Sequence, residues 1–263
     1  MKFTLLGTGG SAGLPQIGGP GGLGDWGKTD PLEPRNRRTR TSAAMTLDDG
    51  RVVLIDTSPE LRLQLTSCGI AKVDAVLYTH VHADHIAGLD DIRVLNRLLG
   101  TPMPGYATAP VWEELKTRFA YAFKSAEGVS FYVRPVLVPH NLTPGETAEI
   151  AGARIRVFEQ DHGFGTSLGL RIGNAAYCTD VVRMSEAVLA GLTGLELFIV
   201  DCFTPYRDHP THAGLPTVLS WVERLTPKRT VLTHLGPEMD YATLRCTLPA
   251  GIEPGFDGMV VEV

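Results

Sequence analysis

Cysteine is scarce in this chain and never paired. Cys68, Cys178, Cys202 and Cys246 lie far apart with no C-x-x-C between them. That spacing excludes a disulfide framework and a zinc knuckle and predicts reduced thiols. Long apolar runs are missing as well: nothing approaches the roughly 20 residues that a membrane-spanning helix needs. The opening MKFTLLGTGG has one lysine and too short an apolar run for a secretory signal. A cytoplasmic protein with no membrane partner is the expectation. Positive charge is not in excess either. Lys and Arg number 24 against 29 Asp and Glu, a formal charge of −5, so no global field draws in polymeric nucleic acid.

What is present suffices for a sizeable core. Apolar residues make up 43% of the 263 positions, near the upper size that one hydrophobic core organises. Residues 1–263 are therefore expected to form one α/β domain with mixed sheets. Strand-like runs fall at 2–6, 42–47, 51–56, 74–79, 132–138, 153–159, 167–172, 175–179, 196–201 and 229–234, with a closing strand in DGMVVEV. Asp48-Asp49-Gly50 marks a hairpin between the second and third runs. Helical patterns follow Pro59, run from 87 to 100, and recur at 211–225. Another, spanning 109–124, reads as an insertion that folds over a cleft. Ten glycines between Gly7 and Gly27 form a loop, and its G-T-G-G-S-A start matches the dinucleotide fingerprint G-x-G-x-x-A. That fingerprint needs a helix to open on the glycines. Pro15, Pro20 and the glycines around them forbid one.

Histidine is sparse, yet three of the eight sit in THVHADH at 79–85. On an extended strand end, residues two apart project to one side, so His80 and His82 can converge on one ion. Asp84 and His85 come after the chain turns and aim at a neighbouring point. Three imidazoles and a carboxylate suit Zn²⁺, Mn²⁺ or Fe²⁺ better than Mg²⁺ or Ca²⁺. A pair of ions needs about seven protein ligands. Three downstream residues at the ends of apolar runs offer the rest: His162 in EQDHGFG, Asp180 in AYCTD and His234 in VLTHLG.

The order H-x-H-x-D-H, then His, then Asp after a strand, then His after a strand, resembles the metallo-β-lactamase superfamily. GTGGSAGLPQIG, DPLEPRNRRTRTSA, LIDTSPELR, HPTH and LTHLGPEMDY extend the likeness to its phosphodiesterase branch, which includes phosphoribosyl cyclic phosphate phosphodiesterases. The resemblance implies a four-layer αβ/βα sandwich with a binuclear site at the sheet edge. One metal would take His80, His82 and His162; the other would take Asp84, His85 and His234; Asp180 would bridge them. Two divalent transition metal ions, zinc or manganese, would activate a bridging hydroxide against a small cyclic or nucleotide-like phosphodiester. His212 and Asp84 are the catalytic candidates, His212 as the proton donor to the leaving oxygen. His209 is a weaker candidate, since Thr211 or Asp208 could simply cap the next helix. Asp56 and Asp201 would support the ligands from behind, and Cys178 is a small core residue.

Some members of this branch carry C-x-C-x-x-C after the P-x-I-G stretch for a separate structural zinc. Here residues 18–31 read GGPGGLGDWGKTDP, so no structural zinc is expected. Arg35, Arg37, Arg38 and Arg40 form the densest basic run, fit either for substrate phosphate or for a solvated loop. Alternatives within the fold are thioester or other acyl hydrolysis, and a non-catalytic nucleotide- or metal-binding protein. Di-iron oxygen-reducing members usually place Glu where this chain has His82. A homodimer is a further expectation from the family.

Overall fold

A computed structural model describes residues 1–124, 133–206 and 209–263. The first sheet is built from β1 (Lys2–Gly7), β2 (Ser42–Thr46), β3 (Val52–Ile55), β4 (Ala75–Leu77), β5 (Met103–Ala107) and β6 (Leu137–Asn141). The second holds β7 (Thr147–Ile150), β8 (Ala153–Asp161), β9 (Thr166–Ile172), β10 (Ala175–Cys178), β11 (Leu197–Asp201), β12 (Arg229–Thr233) and β13 (Ile252–Pro254). The last strand, β14 (Met259–Glu262), returns to the edge of the first sheet beside β1.

Each sheet has an antiparallel part and a parallel part. In the first, β1, β2 and β3 pair antiparallel, while β3 to β6 run parallel. In the second, β7 to β10 are antiparallel, while β10 to β13 run parallel. Parallel neighbours need long crossovers, and helices supply them. The helices are α1 (Leu61–Ser67), α2 (Ala83–Ile86), α3 (Ile92–Leu99), α4 (Ala109–Arg118), α5 (Ala120–Phe123), α6 (Glu186–Gly191), α7 (Leu215–Leu225) and α8 (Tyr241–Thr247). No described helix is long and apolar enough to cross a membrane.

Alternation along the strands sets the layers. On β8, Ala153, Ile155 and Val157 point inward while Arg154 and Arg156 face solvent. The inward faces of both sheets meet in one core, with Phe3, Leu5, Met45 and Leu77 against Ile155, Leu170, Tyr177 and Ile199. The outer face of the first sheet packs Leu54, Val76 and Tyr78 under Leu61, Ile92 and Trp112. That of the second packs Cys178, Phe198 and Leu232 under Leu189, Trp221 and Leu244. The result is helix, sheet, sheet, helix: the αβ/βα sandwich that the resemblance implied. Each fully buried residue of this size stabilises the fold by about 1.5–3 kcal/mol, so the strand ends are held in fixed register.

Two expectations need correction. The stretch at 109–124 is no insertion: α4 and α5 are the crossover between parallel β5 and β6, and Trp112 and Leu115 are core residues. Its first turn does border the site, since Pro110, Val111 and Glu114 line a cavity with His80. The run at 132–138 starts outside the described residues, and the strand there is Leu137–Asn141. Strands β5, β7 and β13 and helices α6 and α8 carried no clear periodic signal.

The glycine-rich segment follows β1 as a loop, without the helix a dinucleotide site requires. It closes on itself through paired Gln16 and Asp25, and Lys28 N–H donates to the Pro237 carbonyl at 2.8 Å. Gly10 is forced: a Cβ there would stand 2.7 Å from the Phe203 ring and 3.5 Å from His234.

Candidate metal centre

The strand ends that share one edge of the sandwich carry the chemistry. Asp56 follows β3, His80 follows β4, His162 follows β8, Asp180 follows β10, Asp201 ends β11 and His234 follows β12. Asp56, Asp180 and His234 have φ of 62°, 53° and 54°. This left-handed conformation costs a non-glycine residue roughly 1–2 kcal/mol. The flanking backbone enforces it. Asp56 N–H donates to the Leu77 carbonyl at 2.8 Å, Val181 N–H to Asp201 Oδ2 at 3.0 Å, and Leu235 N–H to the Thr8 carbonyl at 2.7 Å. The abrupt reversal turns each side chain inward at the point where its strand stops.

Asp180 sits at the centre. Its Oδ2 lies 3.6 Å from His80 Nε2, 3.6 Å from His162 Nε2 and 3.4 Å from His234 Nε2, and its Oδ1 lies 3.2 Å from His85 Nε2. On one side, His82 Nδ1 approaches His162 Nε2 to 3.1 Å. On the other, Asp84 Oδ2 lies 3.3 Å from His85 Nε2 and 3.7 Å from His234 Nε2. All seven predicted ligands are thus brought together, in the sets His80, His82, His162, Asp180 and Asp84, His85, His234.

Two observations test whether these residues fit a divalent metal. Donor atoms about 2.0–2.1 Å from a tetrahedral ion are about 3.4 Å from one another, and the spacings above cluster around that value. Secondly, Nε2 of His80, His85 and His234 is buried with no hydrogen-bond partner, a costly state unless an ion or proton satisfies it. The outward nitrogens of His80, His85 and His162 are occupied, whereas Nδ1 of His234 has no hydrogen-bond partner. His85 Nδ1 donates to Asp56 Oδ2 at 2.8 Å and His162 Nδ1 to the Thr211 carbonyl at 2.7 Å. Thr79 Oγ1 donates to Asp56 Oδ2 at 2.7 Å and accepts from His80 Nδ1 at 3.0 Å. Each bond holds its ring with Nε2 turned towards the centre. The residues fit.

Electrostatics agree. Burial lowers His80 strongly and lowers His82 and His162, so these imidazoles are neutral. Burial also acts to lower His85 and His234, but is overcome by carboxylates. Asp180, Asp84 and Asp56 hold His85 well above the ordinary value, and Asp180, with Asp84 and Asp201, pushes His234 up to about 9. Burial would raise Asp84 and Asp180, and the surrounding histidines overcome it and hold both below the usual carboxylate range. The site concentrates negative charge and seeks cations.

His212 joins the centre. Its ring stacks 4.3 Å from that of His234, and Asp180, His212 and His234 form a third set of converging donors. Its Nδ1 donates to Asp201 Oδ2 at 2.7 Å. His209 is at the rim, its Nδ1 3.0 Å from Thr211 Oγ1. Helix α7 begins after Gly214, with neither Thr211 nor His212 as its cap; Asp208 lies outside the described residues. Cys178 is buried, its thiol pushed up by burial.

The arginine run splits up. Arg38 is buried and donates from Nη2 to the Met239 carbonyl at 2.6 Å and to Asn36 Oδ1 at 3.1 Å. Arg40 pairs with Glu60, Arg35 lies 4.9 Å over the Tyr241 ring and Arg37 lies 5.0 Å over Trp26. Thr79, which ties Asp56 to His80, and Phe203, whose ring lies 5.1 Å from that of His212, went unnoticed in the sequence. Thr79 opens the THVHADH stretch, so its adjacency to His80 was a usable signal.

Comparison with known proteins agrees with the geometry. Residues 51–235 match the family described as Beta-lactamase superfamily domain. A solved structure described as a new diphosphatase from the PhnP family is 35% identical, with a TM-score of 0.87, covering 100% of this chain and 97% of that one. An octanoyltransferase of Porphyromonas gingivalis is 29% identical over 98% of this chain and 51% of its own length. A ribonuclease Z of Mycobacterium bovis is 30% identical over 62% of this chain and 54% of its own length. The chain thus spans about half the length of these two curated relatives. The chain belongs to the beta-lactamase superfamily and, within it, to the PhnP family.

Proposed function

We propose that this chain is a binuclear metal-dependent hydrolase of small phosphodiesters, cyclic or nucleotide-like. One observation carries the reading: two donor sets at 3.1–3.7 Å spacings, joined through the single carboxylate of Asp180. His80, His82 and His162 would hold one divalent ion, Asp84, His85 and His234 the other, and zinc or manganese suits this imidazole-rich set. When bound, such a pair supplies a water of lowered pKa and charge to balance the phosphate oxygens.

The protein's own groups do the rest. Asp201 accepts from His212 Nδ1, so a protonated His212 presents Nε2–H towards the centre, where it can donate to a departing alkoxide. Asp56 holds His85 through Nδ1 and, through Thr79 Oγ1, orients His80, fixing both rings before substrate arrives. The names of two relatives, a diphosphatase and a ribonuclease, support phosphorus–oxygen bond cleavage, while that of a third, an octanoyltransferase about half of whose length this chain spans, is of acyl transfer. A net charge of −5 favours a small substrate over an RNA polymer.

Parallel assays test this on bis(p-nitrophenyl) phosphate, a ribose cyclic phosphate and a glutathione thioester. Turnover of the phosphate esters that disappears with chelation is expected. Thioester turnover without phosphodiester turnover would overturn the reading.

A further inference from the structure

A cavity of about 880 Å³ opens beside the metal centre, with Val182, Arg183, Tyr206, His209 and Pro210 in its wall. His209 ties it to the site, its ring 5.6 Å from that of His212. Two aromatic side chains near this mouth stand largely in water. Tyr206 is 62% exposed, and Phe164, two residues beyond His162, is 93% exposed. The loop bearing Phe164 is seated on the cavity wall. A Cβ on Gly163 would stand 2.3 Å from the Pro210 carbonyl oxygen, and His162 Nδ1 donates to the neighbouring Thr211 carbonyl. Lys28, paired with Glu238, places its ammonium 5.5 Å over the Tyr206 ring. Arg183 lines the cavity with its Nε held by Asp161 Oδ2 at 2.9 Å.

Single exposed apolar residues need no explanation. A pair of aromatic rings on the two loops that carry His162 and His209, with two cations nearby, is different. Rings in that position offer a stacking face to a planar group while the phosphate lies at the metal centre. We infer that this mouth receives the nucleoside half of the substrate, its base stacking on Tyr206 and Phe164. The inference rests on the phosphodiester reading above and narrows it: a nucleotide-derived diester, in place of a bare sugar phosphate.

The test titrates the zinc-loaded full chain with AMP and with ribose 5-phosphate by calorimetry. AMP should bind at least about fivefold more tightly, the low end for stacking one base on an aromatic ring. Tyr206→Ala and Phe164→Ala should each bring the ratio towards one, and Tyr206→Phe should keep it, all with unchanged zinc content. Equal affinity for the two ligands in the parent protein would overturn the inference, as would an equal loss of both in Tyr206→Ala. If bis(p-nitrophenyl) phosphate is hydrolysed without any base preference, this inference falls and the phosphodiester reading stands. A base preference without phosphodiester turnover overturns that reading and leaves the mouth a nucleotide site.

Discussion

Asp201 Oδ2 lies 2.7 Å from His212 Nδ1, and Asp201 is fully buried beneath it. A carboxylate can only accept there, so Nδ1 carries a proton and Nε2 faces Asp180 and His234. That one bond sets what His212 can do.

If His212 protonates the leaving oxygen, its loss should depend on the leaving group. His212→Ala should slow diesters with alkoxide leaving groups by about 10²–10⁴-fold in kcat. It should change p-nitrophenolate release much less, because that anion departs without a proton. Steady-state kinetics on the two ester classes check this. Equal losses on both would assign His212 to metal or substrate positioning.

Asp56 accepts from Thr79 N–H and Thr79 Oγ1, each at 2.7 Å, and from His85 Nδ1. An asparagine there must point its amide group at one of these donors. Asp56→Asn should weaken metal binding by about 10–100-fold, the usual effect of losing such support. Competition against a chromogenic chelator measures it, and unchanged affinity would show that Asp56 is only a core residue.

Protons and metal compete for His234. Its value of about 9 in the metal-free fold stands above the ordinary 6.5. The stabilisation it gives is therefore complete below pH 6.5 and lost as pH rises through 9. Chelator-treated protein should unfold at progressively lower urea between those limits. Metal affinity should move the opposite way and tighten with pH, since the ion displaces that proton. Affinity independent of pH over this window would remove His234 from the ligand set.

The arginine run should separate by burial. Arg38→Met strips donors from the Met239 carbonyl and Asn36 Oδ1, and should cost about 2 kcal/mol or more in urea melts. Arg35→Ala loses an exposed cation–π contact and should cost about 1 kcal/mol or less. Neither should alter KM for bis(p-nitrophenyl) phosphate. A raised KM in either variant would return that arginine to the substrate.

Most of the donor set was legible because each ligand marks the stop of an apolar run. THVHADH follows β4, Asp180 and His234 follow the buried strands β10 and β12, and His162 follows β8, whose inward and outward residues alternate. The rest was hidden for physical reasons. Strand β5, MPGYA, carries Pro and Gly and is held by its neighbours, not by propensity. β7 alternates only weakly at an exposed edge. Helix α4 looks amphipathic whether it caps a cleft or crosses over a sheet, and only the pairing of β5 with β6 decides between them. Arg38 reads as one more charge in a basic run until tertiary contacts bury it.

The central claim, two ions sharing Asp180, is tested most directly by elemental analysis of the purified protein beside its Asp180→Asn and His80→Ala variants. The account predicts close to two equivalents of transition metal in the parent, a deficit in both variants, and loss of phosphodiester turnover with the metal. One equivalent or none in an active parent protein, or full activity in His80→Ala, would contradict it.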